Sequence, residues 1–267
     1  MYTMKIDIYF INAFTKQVNA GNPACVVPLK KWLPHSTLLA IAKENKVAET
    51  AFFIKKKNSL YELKWFTPDI EMDLCGHATL ATAHHLFTTS NELKEIQFKT
   101  KSGVLKVSSS KGFYNMILPR REGKLAKLPI EIKNSLNILP KEIYKSRDYL
   151  LVYNSQTEIK SISINREIFD QININPGGVI VTAIGDNYDF VSRFFTPQAT
   201  FLEDPVTGSA HCTLTPYWSK RLKKNKLKAA QLSKRGGEIY CIDKEDSVVI
   251  SGKAVTCSKI RKLIIPH

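Results

Sequence analysis

The feature that most restricts this chain is an internal echo. Residues 64–84 (KWFTPDIEMDLCGHATLATAH) and 192–211 (SRFFTPQATFLEDPVTGSAH) both start from an aromatic-Phe-Thr-Pro step, cross an acidic segment, reach a Gly-X-Ala turn and become helix-like. Pro68 and Pro197 are 129 residues apart, and Gly76 and Gly208 are 132 apart. A weaker third pair, Gly103 of SGVLKV and Gly237 of GGEIYC, is 134 apart. Three offsets near half of 267 residues imply two related halves.

In each half a short polar loop leads into an apolar helical run, so each half presents a helix N-terminus. The free backbone N–H groups and the positive end of the macrodipole make such an end an anion site. Two of them across a pseudo-twofold cleft could hold a carboxylate and stabilise charge that develops beside it. Taken singly, Asp204, Thr207 and Ser209 also read as caps or loop charges, and Gly76 and Gly208 as turn residues. The duplication in register favours the functional reading.

Composition narrows the class. Hydrophobic residues at 43% and charged residues at 24% are those of a soluble globular protein. No apolar run approaches the roughly 20 residues of a membrane span, so no membrane partner is expected. The first residues alternate apolar and polar like a strand and lack the apolar core of a signal peptide, which predicts a cytoplasmic protein. Five cysteines with no C-x-x-C pair suggest neither a disulfide framework nor a zinc site. The adjacent His84 and His85, and His211 beside Cys212, are too close together to build a closed tetrahedral site. Lys+Arg of 39 against Asp+Glu of 24 gives +15. The lysines are scattered, and the dense run at 220–228 follows a predicted helix, where cations belong. Steering of a small anionic substrate, or plain solubility, is preferred to specific nucleic acid binding.

The periodicity predicts strands at 5–13 and 24–27, a turn at 18–23 and a helix from 34–36 to about 45. Ser36 is its expected N-cap, with Leu38, Leu39, Ile41 and Ala42 inward. Glu49 interrupts an otherwise apolar strand (VAETAFF). Burial there would raise its pKa toward neutrality and make it a usable proton carrier, although alternation also allows it to face solvent. After the strand 60–66, Asp69, Glu71 and Asp73 alternate with apolar residues and predict a solvated acidic face. The run after Gly76, to about Phe87, is apolar nearly all round and predicts a buried helix. Two strands are read over 95–118, and PRREGK (119–124) is the linker candidate. Further strands are expected at 150–153, 178–184, 247–255 and 259–264, with a turn at 175–178.

Five blocks, EDPVTGSAH (203–211), WFTPDIEMDLCGHATLATA (65–83), GNPACVV (21–27), AETAFF (48–53) and QLSKRGG (231–237), carry a resemblance. In their order along the chain, and over nearly all of it, they resemble the blocks of the phenazine-biosynthesis isomerase (PhzF-like) family. The resemblance implies the diaminopimelate epimerase-like fold: α+β, with two pseudo-symmetric domains, each a curved sheet or barrel around a central helix. The linker candidate sets the halves at 1–118 and 119–267, and the resemblance implies that the last strand returns to the first. It also implies cofactor-independent isomerisation of a carboxylate such as trans-2,3-dihydro-3-hydroxyanthranilate in a biosynthetic process, with no metal. Glu49 would be the catalytic acid/base, with His77, Asp204 and Ser209 as the polar network. Asn22, Gly76, Thr207, Gly208 and Arg235 would bind substrate, and a homodimer is the expected assembly. A racemase of this fold uses one cysteine from each half, yet only Cys75 is in place here. A cysteine-dependent racemase or epimerase and a non-catalytic metabolite-binding protein stay open as alternatives.

Overall fold

The computed structural model describes residues 3–90, 92–175 and 177–264. The chain forms two compact units, Met1–Ile117 with Ser251–His267, and Leu118–Ile250.

In the first unit the strands follow one another in the order Ala254–Ile264, Met4–Ala13, Asn22–Leu29, Glu49–Lys57, Leu60–Phe66, Glu95–Thr100, Gly103–Ser110 and Phe113–Pro119. All neighbours are antiparallel except Asn22–Leu29 with Glu49–Lys57 and Leu60–Phe66 with Glu95–Thr100. A parallel step needs a crossover, and the two helices His35–Asn45 and Gly76–Thr89 supply them. The second unit repeats the scheme through Lys124–Leu125, Glu142–Lys145, Tyr149–Val152, Val179–Ile184, Phe190–Phe195, Lys226–Gln231 and Gly237–Asp243. Its parallel steps fall at the matching places, crossed by the short helices Gln156–Ser161 and Arg166–Phe169 and by His211–Leu222.

Register locates the echo in space. Trp65 and Phe66 pair with Met72 and Glu71, while Phe194 and Phe195 pair with Asp204 and Glu203. The three-residue growth in offset therefore lies in the loop between the aromatic-Phe-Thr-Pro step and the short return strand.

Each helix is placed by its composition. Gly76 to Leu86 are buried without a break, because small and apolar residues cover every face. His35–Asn45 packs its Leu38, Ile41 and Ala42 on the other face of the sheet, against Val27, Phe52 and Phe66. It begins at His35, so Ser36 lies in the first turn and the N-cap position is Pro34, which makes no side-chain cap bond. In the second unit Trp218 stacks on Phe190 at 5.7 Å and donates from Nε1 to Thr182 Oγ1 at 2.9 Å. Pro216 within this helix has no N–H for the Cys212 carbonyl, and the backbone N–H of Arg121 takes that acceptor at 3.0 Å. The PRREGK segment is thereby tied to the helix.

Several sequence expectations need correction. The 95–118 region holds three strands, because the turn between Ser110 and Phe113 is built by Lys111 and Gly112, both at positive φ. The segments expected at 247–255 and 259–264 break instead at Lys253, leaving Ala254–Ile264 as one long strand against Met4–Ala13. Glu71 is not solvated: its side chain is only 9% exposed, with Lys101 Nζ 2.9 Å away. Pro176 of the expected 175–178 turn lies outside the described residues. Among the described residues no helix is long and apolar enough to cross a membrane.

Candidate active site

In the first unit, strand pairing and a helix end bring four predicted or neighbouring groups together. Glu49 opens its strand opposite Ala24, so Asn22 lies two residues from its neighbour, and Glu49 shares a face with Ala51 and Phe53. The helix Gly76–Thr89 packs on that face, as the Phe53 and His85 rings at 5.9 Å show, and His77 is its second residue. His77 Nε2 stands 3.0 Å from Glu49 Oε2, although the two are too poorly aligned to form a well-directed hydrogen bond. On the other side of the ring, Nδ1 lies 3.0 Å from Asn22 Nδ2 and 3.6 Å from Cys75 Sγ. Glu49 keeps 15% of its side chain exposed, against 3% for His77. It is the member of the group that can meet a ligand.

Burial works against a charged His77 ring, but neighbouring Cys75 and Glu49 outweigh it and hold the imidazole well above its ordinary range. Burial, reinforced by the charge of Glu49, pushes the Cys75 thiol up, against the opposing pull of His77. Cys75 can raise the ring only while it carries charge, so once burial keeps it a thiol the neighbour left beside the His77 ring is Glu49. In the neutral ring Nδ1 accepts from the Asn22 N–H and Nε2 carries the proton. Turning the Asn22 amide over presents its oxygen instead and serves the charged ring equally well.

Glu49, Cys75 and His77 bring one donor atom each within 4.8 Å of one another, a set that suits zinc chemically. Both nitrogens of the ring already serve protein partners, Glu49 and Asn22. A metal bound through either would break one of these contacts.

In the second unit the predicted residues gather on the loop 204–209. The Thr207 hydroxyl donates to Asp204 Oδ2 at 2.5 Å. Gln231, at the end of its strand, accepts from Thr207 N at 2.8 Å and donates to the Asp204 carbonyl at 2.7 Å. His211 Nδ1 meets the Thr207 carbonyl at 2.8 Å, and burial pushes this imidazole down to about 4, so it is neutral and Nδ1–H is the donor. Residues 208–210 form a tight turn in front of the helix, with His211 N bonded to Gly208 O and Cys212 N to Ser209 O. The helix thus starts three residues after Gly208, whereas Gly76 is itself the first helical residue. Ser209 is half-buried, and Arg235 is half-buried in the turn after Gln231.

Asn22, expected from the sequence as a substrate contact, is fully buried and faces His77. Sequence reasoning gave Gln231 and His211 no role, since a glutamine beside a polar turn reads as surface and a histidine next to an apolar helix as core.

Residues 11–259 match the PhzC-PhzF family profile, described as phenazine biosynthesis-like protein. The chain belongs to this family. Its enzyme class is isomerase, as several of its curated relatives are named. One PhzC-PhzF relative, an uncharacterised isomerase of Pseudomonas aeruginosa, is 41% identical over 94% of this chain and 96% of its own. A solved PhzF-family structure from Enterococcus faecalis superposes with a TM-score of 0.90 at 40% identity, covering 97% of this chain and 99% of that one. Beyond the PhzC-PhzF family, a hydroxyproline epimerase of Agrobacterium vitis shares the fold, with a TM-score of 0.62 at 10% identity over 98% of this chain and 92% of its own. The two solved structures thus share this chain's epimerase-like fold.

Proposed function

We propose that the protein is a cofactor-independent isomerase that moves a proton within a small unsaturated carboxylate, with trans-2,3-dihydro-3-hydroxyanthranilate as the nearest known kind of substrate. Glu49 takes a hydrogen from one carbon, the C–H electron pair shifts into the conjugated system, and the same carboxylic acid returns the proton to another carbon. The resulting enol tautomerises to the ketone. The observation that carries this reading is the Glu49–His77 contact, in which a half-buried carboxylate is flanked by a fully buried ring held above its ordinary range. His77 lies against the Glu49 carboxyl group, and Asn22 keeps the ring in place. Asp204 and Ser209 of the second unit are proposed to serve the same reaction, and the backbone N–H groups at Gly76 and Gly208 to hold the substrate carboxylate. A biosynthetic role belongs to the same proposal.

The second reading, a thiol racemase, has one observation in its favour, the 3.6 Å approach of Cys75 to His77. Burial of the thiol opposes it. The test is turnover of trans-2,3-dihydro-3-hydroxyanthranilate in deuterated water, followed by NMR. Glu49→Gln, which keeps the shape and removes the base, should cut turnover by at least about a hundredfold with the fold intact. Cys75→Ser should keep most of the activity. Near-normal turnover in Glu49→Gln would discard the assignment, and inversion at a single carbon that disappears in Cys75→Ser would establish the racemase instead.

A further inference from the structure

Backbone amides only donate, so the Gln231 oxygen must be the end of that side chain that meets Thr207 N, at 2.8 Å. The other end is then fixed: Nε2 donates to the Asp204 carbonyl at 2.7 Å and to Thr207 Oγ1 at 3.2 Å. A hydroxyl that receives a hydrogen bond and lies beside a carboxylate directs its own proton onward, and Thr207 Oγ1 donates to Asp204 Oδ2. One backbone N–H therefore sets the direction of the whole chain from Gln231 through Thr207 to Asp204. Gln231 is 1% exposed, so water does not compete for its amide. In the first unit the residue at the matching strand end is Thr100, opposite Gly103 as Gln231 is opposite Gly237. The Thr100 hydroxyl is used within its own turn, donating to Gly103 O at 2.8 Å. The clamp belongs to the second unit alone, the one whose loop is three residues longer.

We infer that Gln231 is a positioning residue that acts through Thr207 to hold Asp204 as a hydrogen-bond-accepting carboxylate in one fixed orientation. The inference rests on the proposed use of Asp204 in the reaction, and its test separates the two. Neutron diffraction from crystals of the deuterated full-length protein needs no substrate. Deuterons are expected on Gln231 Nε2 facing Asp204 O and Thr207 Oγ1, and on Thr207 Oγ1 facing Asp204 Oδ2. A deuteron on Asp204 Oδ2, or a Gln231 amide turned the other way, overturns the clamp. The variant Gln231→Glu retains the acceptor for Thr207 N but loses the donor while its carboxyl is ionised. With trans-2,3-dihydro-3-hydroxyanthranilate as the probe, its kcat should fall at least about tenfold near neutral pH with little change in KM, and recover several-fold relative to wild type on acidification, as protonation restores a donor. A pH profile and kcat matching the wild type overturn the positioning role. Full activity in Asp204→Asn would instead refute the use of Asp204, leaving the neutron result to decide the clamp by itself.

Discussion

Asn22 has no exposed surface, yet its amide reaches His77, which itself touches Glu49. If Glu49 is the base, as proposed, a residue in that position would change the reaction only through the ring. Asn22→Leu should therefore lower kcat by about tenfold or more while leaving KM near the wild-type value, a split that steady-state kinetics on the probe carboxylate would read; a change confined to KM would show that Asn22 meets the substrate. A different histidine bears on stability. Burial, with the nearby His84 and Lys259 adding to it, pushes His85 down to about 4, among the rings of Tyr9 and Phe53. Its unfolded counterpart titrates near 6.5, so between these values the unfolded chain binds more protons than the native one. The contribution of His85 is present above about pH 6.5 and is lost as pH falls toward 4. Urea midpoints measured across this window should fall on acidification in the wild type and fall less steeply in His85→Leu. An unchanged slope would mean that His85 is not the group responsible.

The packing of elements makes its own demand at Gly252. A Cβ there would stand 2.4 Å from Phe14 Cδ1 and 3.2 Å from Leu80 Cδ1, where the strand Ser247–Gly252 presses toward the helix Gly76–Thr89. Phe14 is fully buried and cannot swing out, so Gly252→Ala should cost about 1–3 kcal/mol, seen as a lower urea midpoint with an unchanged slope. A neutral result would mean that the ring repacks freely. At this scale the sequence was legible where a pattern was local. The paired aromatic-Phe-Thr-Pro steps marked equivalent strand ends, whereas the carboxylate in an apolar run left Glu49 free to face solvent until the family resemblance was added. The all-round apolar run after Gly76 marked the buried helix. What stayed hidden depends on partners distant in sequence. Lys101 comes thirty residues after Glu71 and turns an apparent solvent face into an ion pair. Gln231 reaches back to Thr207 across a whole helix. The short helices Ile130–Ser135, Gln156–Ser161 and Arg166–Phe169 are too brief for a period to show.

For the molecule as a whole the 39 basic residues are spread along the chain, and some are locally paired: Lys259 and Arg261 on Asp7, Lys224 on Asp189, Arg221 on Glu142. Such a surface should attract nucleic acid only weakly and without sequence preference. Gel shifts at physiological salt should show dissociation constants no tighter than about a micromolar, weakening steeply as salt rises. Nanomolar, sequence-selective binding would overturn that expectation. The antiparallel pairing of Met4–Ala13 with Ala254–Ile264 has a consequence in time. A ribosome delivers the first of these strands some two hundred and fifty residues before its partner, at about 5–20 residues per second. Until then the leading strand has a neighbour on only one side, Asn22–Leu29, and an open edge on the other. The strands from Lys124–Leu125 to Gly237–Asp243 are all delivered before Ala254–Ile264, so their sheet can form while the earlier unit is still waiting. The half of the protein made first is thus the half finished last, and its unpaired edge is what a nascent-chain chaperone would meet.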